Sequence, residues 1–100
     1  MKKLVSLSIA TVALFGMLST AQANEGLYNK KGCKNCHAFG PGPKLKNKAD
    51  WAPRIKLGMD TLVKHAIKGT AKGMPPKGGR MDASDAEIKS IVQFMVDSSK

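Results

Sequence analysis

Cysteine is rare in this 100-residue chain, which has only Cys33 and Cys36. The two thiols lie too close in sequence to close a useful loop, and this excludes a disulfide framework as the source of stability. A strand pattern is missing as well, because no segment beyond residue 23 alternates apolar and polar residues with period two. We also find no internal repeat, low-complexity tract or second domain. These absences predict one small all-α domain.

A run long enough to span a membrane is also absent. The longest apolar run, residues 4–18, has 15 residues, whereas a spanning helix needs roughly 20. Two lysines precede the run and Ala-Gln-Ala at residues 21–23 follows it, an arrangement typical of a secretory signal peptide. We therefore expect cleavage after Ala23, export to the periplasm, and a mature domain of residues 24–100 with no integral membrane segment. The alternative for residues 1–23 is an uncleaved membrane anchor.

Acidic residues are few. The expected mature domain has seven of them against 15 basic residues, which gives a formal charge of +8. Such a positive surface suits nucleic acid, an anionic membrane or an acidic protein, and export argues against nucleic acid. A domain of this size hides only about 60% of the surface that its unfolded chain exposes. It needs a further source of stability, and a large apolar cofactor is the best candidate.

The segment Cys-Lys-Asn-Cys-His at residues 33–37 carries the chemistry of this chain. Cys-x-x-Cys-His is the attachment signal of c-type haem. On a helical turn, the thiols of Cys33 and Cys36 can reach the two vinyl groups on one edge of a porphyrin and form thioethers, and His37 then lies beneath the iron. Two other interpretations are weaker. A thioredoxin-like redox pair needs a βαβ setting that is missing here, and a zinc site needs four ligands when only His65 remains beyond the motif.

A second axial ligand has to come from elsewhere in the mature domain. Met74 is best placed, because the prolines and glycines of residues 73–79 exclude a helix or a central strand and indicate a rigid loop. Met81 is the runner-up, just past these glycines. Met95 falls on an apolar stripe typical of core packing, and His65 lies between lysines on a helix surface. The full set of candidates is Met59, Met74, Met81, Met95 and His65.

Ligation by His37 and Met74 predicts a carrier of single electrons. A thioether is a soft, neutral ligand that favours ferrous iron and raises the reduction potential. With two protein ligands on the iron no coordination position is open for a substrate, so we do not expect an enzyme. Two alternatives remain open. One is a sensor or enzyme in which the Met74 bond is labile, and the other is a haem-bearing subunit fixed within a larger complex.

Four helices are predicted. The first covers residues 24–31. A short helix over residues 50–55 has its proline in the first turn, where proline is tolerated, and a third helix covers about residues 60–68. The last begins at a Ser-Asp-Ala-Glu capping box at residues 84–87 and should pack across the first helix. Its apolar stripe has helical spacing and consists of Ile88, Ile91, Val92 and Met95.

The glycines and prolines of residues 38–48 predict a loop between the haem motif and the second helix. We expect the carbonyl of Pro43 to accept a hydrogen bond from the ring of His37. Such a bond would fix the orientation and the tautomer of the imidazole.

Together these segments resemble a class I c-type cytochrome, and more narrowly the cytochrome c-five subgroup of small bacterial cytochromes. The likeness covers nearly the whole mature domain and includes residues 33–37, Trp-Ala-Pro-Arg at residues 51–54 and Met-Pro-Pro-Lys-Gly-Gly at residues 74–79. It implies a small cytochrome c fold, with about four helices wrapped round one covalently attached haem c. The residues that it implies are Cys33 and Cys36 for attachment, His37 and Met74 as axial ligands, and Trp51 and Arg54 near the haem propionates.

The chain departs from this subgroup just before the last helix. The subgroup often carries two further cysteines there, where this sequence has Arg80 and Ala83. A second covalent staple is therefore missing from the loop that carries Met74, although the ligands themselves are untouched.

Six lysines flank the haem-bearing segments and predict a basic rim around the exposed haem edge. Such a rim would steer acidic redox proteins, such as a reductase and a terminal oxidase or reductase, into short-lived complexes at a rate that falls with salt. We expect the protein to be a monomer. The rim residues are Lys30, Lys31, Lys34, Lys44, Lys72 and Lys77.

Overall fold

The computed structural model describes residues 24–100. The expected signal peptide, residues 1–23, lies outside the described residues. Between residues 24 and 100 the chain is helical and has no strand, so the all-α prediction is confirmed. No helix of this part combines the length and the apolar character that crossing a membrane requires. The elements are α1 (residues 24–30), α2 (Lys34–His37), α3 (Lys48–Ile55), α4 (Met59–Lys68), a 3-10 helix (Pro76–Gly79) and α5 (Asp85–Ser99).

Helix α3 begins two residues earlier than the sequence predicts. Asn47 caps it, because the Asn47 side chain accepts a hydrogen bond of 3.1 Å from the backbone N–H of Asp50. The helix therefore starts at Lys48, and Pro53 lies in its second turn rather than in its first. A proline at this depth removes one backbone donor, and the helix ends soon afterwards, at Ile55.

The loop predicted at residues 73–79 contains a 3-10 helix over its last four residues, Pro76–Gly79. The prediction of a segment without any helix is wrong on this point. Proline at the first position is compatible with such a turn, because its missing N–H would have no partner there. Inside the element, Lys77 and Gly78 have positive φ angles of 54° and 61°. These backbone conformations prevent a longer helix.

Helix α5 organises the core. Its capping box is present, because the Ser84 side chain accepts the N–H of Glu87 while the Glu87 side chain accepts the N–H of Ser84. Its apolar stripe is buried, the helix packs against α3 and α4, and the ring of Tyr28 from α1 lies 5.4 Å from the ring of Phe94. The buried apolar residues of the described part are Tyr28, Trp51, Leu62, Ala66, Ala83, Ile88, Ile91, Val92, Met95 and Val96.

Candidate haem site

The Cys-x-x-Cys-His motif lies on the short helix α2 and its cap. Cys33 is the N-cap residue, and its carbonyl accepts the backbone N–H of His37 at 3.0 Å. Cys33 and Cys36 are therefore one helical turn apart and on the same face. Cys33 is half-buried against the core, Cys36 is exposed, and no disulfide joins them. Two thiols arranged in this way suit attachment to one edge of a planar group.

The ring of His37 is buried, with 7% of the residue exposed. Its Nδ1 lies 2.9 Å from the carbonyl oxygen of Pro43, which is the hydrogen bond that the sequence predicts. Because a carbonyl oxygen can only accept, Nδ1 donates, and Nε2 is the nitrogen left to bind a metal. Burial lowers the pKa of His37 below its ordinary value of 6.5, although the bond to Pro43 acts in the opposite direction. The ring is therefore neutral at pH 7, in the form that binds iron.

Gly42 brings the loop tightly against this ring. A Cβ atom at Gly42 would lie 3.2 Å from Nδ1 and Cε1 of His37, and 3.2 Å from the carbonyl oxygen of Cys36. Carbon atoms in good contact are about 3.5–4.0 Å apart. A side chain at this position would therefore press on the imidazole and shift it by a few tenths of an ångström.

Trp51 forms a wall beside His37. Trp51 is 4% exposed, and its ring centroid lies 6.1 Å from that of the imidazole. Its Nε1–H donates to the carbonyl oxygen of Lys44 at 2.9 Å, and the N–H of Lys44 donates to the Asp50 carboxylate at 3.1 Å. Arg54 donates to the backbone carbonyl of Asp50, and its charge adds to the effect of burial on the pKa of His37. The structure therefore places Trp51 beside the imidazole, and the positions of Trp51 and Arg54 near the haem propionates stay a prediction.

Met74 lies on the loop between α4 and the 3-10 helix, half-buried against the hydrophobic core. Its backbone bonds twice with Thr70. The Thr70 N–H donates to the Met74 carbonyl at 2.9 Å, and the Met74 N–H donates to the Thr70 hydroxyl at 3.3 Å. Gly69 permits this approach, since a Cβ atom there would lie 2.8 Å from the Met74 carbonyl oxygen. An open groove of about 490 Å³ lies at this loop, lined by residues 68–71 and 73–76.

The other candidate ligands have different surroundings. Met95 is buried in the core on α5, whereas Met81 is 69% exposed. His65 is exposed on α4, and Met59, at the start of the same helix, is half-buried against the core. Of these side chains, Met74 combines a hydrogen-bonded loop with a contact to the core, as a fixed ligand requires.

Among the lysines of the predicted rim, Lys31 is buried, so the prediction of a surface cation is wrong for it, whereas Lys77 is half-buried. Lys31 is 8% exposed, and its ammonium lies 3.1 Å from a carboxylate oxygen of Asp82. Lys77 is half-buried, pairs with Asp85 at 3.1 Å and donates to the carbonyl of Ala83. Lys31 pairs with Asp82 in the segment before α5, and Lys77 pairs with Asp85 at the start of α5. The remaining rim lysines, all at least partly exposed, are Lys30, Lys34, Lys44 and Lys72.

The sequence alone does not single out three notable residues of this region, Gly42, Asp82 and Phe39. Gly42 is one of several glycines in its loop, and nothing local marks it as the one in contact with the imidazole. Asp82 contacts Lys31 across 51 residues, and helical periodicity carries no information at that separation. Phe39 is 80% exposed just after the haem motif, and nothing in the sequence indicates that this apolar side chain faces water.

Comparison with known proteins identifies the family. Residues 19–95 match the family model described as "Cytochrome C oxidase, cbb3-type, subunit III". Cytochrome c-555 of Chlorobaculum tepidum is 38% identical over 109 residues, which cover 100% of both chains. The chain belongs to the class I c-type cytochromes. This cytochrome accordingly carries one covalently bound haem c and is an electron-transfer protein, not an enzyme.

Further relatives agree with this family. The cytochrome is 38% identical to cytochrome c5 of Ectopseudomonas mendocina over 69 residues, which are 65% of this chain and 78% of that protein. It also matches a solved structure of an electron transfer complex of nitrite reductase with cytochrome c, with a TM-score of 0.69 and 39% identity over 78% of this chain and 95% of the other. The small cytochrome c fold implied by the resemblance is confirmed.

The donor groups of the described site fit a covalent haem. Two cysteine side chains lie one turn apart, a neutral imidazole keeps Nε2 available, and a methionine on a hydrogen-bonded loop adjoins the same core. Thiols for attachment together with imidazole and thioether ligands form the donor set of a cytochrome c.

Proposed function

We propose that this protein is an exported carrier of single electrons that works in the periplasm as a monomer. In this proposal residues 24–100 are the mature domain, released when a signal peptidase cuts after Ala23. The lysines, the apolar run and the small residues of positions 1–23 support export. Mass spectrometry of the protein from a periplasmic extract should show a haem-loaded chain that begins at Asn24. An intact amino terminus in the membrane fraction would contradict export with cleavage.

In the mature domain, Cys33 and Cys36 hold the haem through thioether bonds, and His37 and Met74 are the axial ligands of its iron. The observation that carries this assignment is the state of the His37 ring. It is buried, and its Nδ1 is engaged by the Pro43 carbonyl at 2.9 Å, which leaves Nε2 for a metal. An imidazole held by a backbone carbonyl through one nitrogen is the usual arrangement of a histidine ligand. The turn of α2 places both thiols next to it.

The bound haem supplies an iron centre that gains or loses one electron. Pro43 holds the His37 ring in one orientation and one tautomer, so the same nitrogen faces the metal in both oxidation states. Met74 offers a neutral sulfur, which favours the reduced state and raises the reduction potential. Because the protein supplies both axial ligands, no small reactant has an open position to occupy.

Leucine substitutions test the sulfur ligand. Met74→Leu should abolish the weak far-red sulfur-to-iron absorption band of the oxidised protein and lower its reduction potential, because the thioether is lost. Met81→Leu is the matched control, since that side chain is 69% exposed, and it should change neither property. The assignment fails if Met74→Leu keeps the band, and a band lost only in the control would make Met81 the ligand.

Surface lysines beside the site support docking to acidic redox proteins. Lys30 and Lys34 are exposed on either side of the start of the haem motif, and Lys44 is partly exposed next to the loop that holds the imidazole. Phe39 adds an exposed apolar contact. The matched structure is a complex of nitrite reductase with cytochrome c, which supports a reductase as the class of partner.

Charge reversal tests this docking surface. Lys34→Glu should slow electron transfer to an acidic partner and flatten the dependence of the rate on salt, because the attraction that steers the encounter is reduced. Lys89→Glu makes the same charge change at an exposed position of α5 and should have a smaller effect. Equal effects would mean that net charge, and not the lysines near the motif, governs the encounter.

A haem-bearing subunit of a larger complex is the second candidate function. The description of the matching family model, which names an oxidase subunit, favours it. Size-exclusion chromatography of a periplasmic extract, followed by haem absorbance, separates the two candidates. A carrier elutes as a monomer, whereas a fixed subunit elutes with its complex.

A further inference from the structure

Lys31 is a charged residue in a buried position. It lies two residues before Cys33, and its side chain is 10% exposed. Its ammonium is 3.1 Å from a carboxylate oxygen of Asp82 and 4.0 Å from one of Glu87. A buried cation is stable only when it is paired and hydrogen-bonded. The segment just before the haem motif is therefore joined to the turn before α5 by the contact of Lys31 with Asp82, which are 51 residues apart.

Asp82 is the centre of this contact. Besides Lys31, it accepts hydrogen bonds from Nε and Nη2 of Arg80, at 3.1 Å and 3.3 Å. Charge-assisted bonds of this kind are about twice as strong as neutral ones. Arg80 also reaches back toward the haem motif, because a Cβ atom at Gly32 would lie 3.9 Å from its Nη1. The Asp82 carboxylate thus pairs with two cations, Lys31 and Arg80, which lie far apart in sequence.

The turn that carries Asp82 is itself tied to the loop of Met74. Lys77, three residues after Met74, donates to the carbonyl of Ala83 at 2.7 Å and pairs with Asp85 at 3.1 Å. Ala83 is buried in the core. Residues 77–85, which directly follow the loop of Met74, are therefore held together by their own contacts, and Asp82 joins them to Lys31, just after α1.

We propose that Asp82 is a positioning residue for Met74: through Lys31 it anchors the methionine loop to the haem-binding segment and keeps the sulfur on the iron. This inference depends on the proposed function, in which Met74 is an axial ligand. Asp82 does not touch the metal or its ligands. In the open form of the loop, the Met74 sulfur is off the iron. Asp82 makes this form less populated, so its removal should expose the iron position to competing ligands.

Exogenous imidazole measures this opening directly, since it takes the iron position only when the methionine leaves. In Asp82→Asn the apparent dissociation constant of imidazole for the oxidised holoprotein should fall by about fivefold or more, the lower end of usual coupling between sites. The sulfur-to-iron band should weaken in parallel. Asp97→Asn is the matched control, because Asp97 also pairs with a lysine, Lys100 at 3.3 Å, and lies on the exposed surface of α5. It should leave both measurements unchanged.

A double variant separates positioning from general stability. Asp82→Asn leaves the buried Lys31 ammonium with only the Glu87 carboxylate of the described residues, 4.0 Å away. It should therefore lower the urea concentration at which half of the protein is unfolded. Lys31→Met combined with Asp82→Asn removes both charges, so the midpoint should recover, while imidazole still binds more tightly because the anchor is absent. The proposal is overturned if imidazole affinity recovers together with stability, or if Asp82→Asn behaves like Asp97→Asn. A band that survives Met74→Leu would instead overturn the ligand assignment itself.

Discussion

The substitution Gly42→Ala adds a single methyl group on the histidine side of the haem site. The added Cβ would lie 3.2 Å from Nδ1 and Cε1 of His37 and 3.2 Å from the carbonyl oxygen of Cys36, so the ring has to move by a few tenths of an ångström. A side chain displaced from its preferred rotamer costs about 0.5–1.5 kcal/mol. Weakening its 2.9 Å bond to Pro43 costs up to about 1.5 kcal/mol more. We therefore expect a loss of about 1–3 kcal/mol in the free energy of unfolding of the holoprotein, the usual range for overpacking.

The same displacement should alter the reduction potential. The bond to Pro43 makes the His37 imidazole a stronger electron donor, so a weaker bond leaves ferric iron less well stabilised and raises the potential. If about 0.5 kcal/mol of the bond depends on oxidation state, the rise is on the order of 20 mV for a one-electron couple.

Urea unfolding at pH 7 and a redox titration measure the two effects of Gly42→Ala. Gly26→Ala is the control, because a Cβ atom at Gly26 meets nothing within 4 Å and the residue lies in α1. That change should stabilise the protein by up to about 0.5–1 kcal/mol without shifting the potential. A Gly42→Ala protein with wild-type stability and an unshifted potential would refute the packing of this loop against the imidazole.

Three other predictions concern contacts around the site and in the core. Trp51→Phe should lower the free energy of unfolding by about 1–3 kcal/mol in urea titrations, because the partly buried carbonyl of Lys44 loses its donor; an unchanged midpoint would contradict this. Tyr28→Phe should be neutral or stabilising in the same assay, since the buried Tyr28 hydroxyl has no hydrogen-bond partner among the described residues, and a clear loss would reveal an unseen partner. The hydrogen bond from Arg80 is the largest cause that holds the pKa of Asp82 below its ordinary 3.8. The contribution of Asp82 to stability is thus complete above that pH and is lost as the pH falls below it, so acid unfolding followed by circular dichroism should show a shallower loss in Asp82→Asn than in the wild type.

Contacts between residues close in sequence could be predicted. The hydrogen bond from His37 to Pro43, six residues away, and the capping box at Ser84 are both present as expected. Each follows from residue types within one turn or one loop. The start of α3 was harder to predict, because Asn47 competes with Asp50 as the first capping residue and both have suitable side chains.

By itself the sequence determined the helical class and the signature of a covalent haem, because helical periodicity and the spacing of two thiols and an imidazole act over a few residues. Only the tertiary structure decided that Lys31 turns inward to Asp82, that Trp51 lies beside His37, and that the loop of Met74 lies against the core. The physical reason is that these contacts depend on which helix faces meet. A lysine next to the haem motif looks the same in sequence whether it faces water or a carboxylate brought to it from 51 residues away.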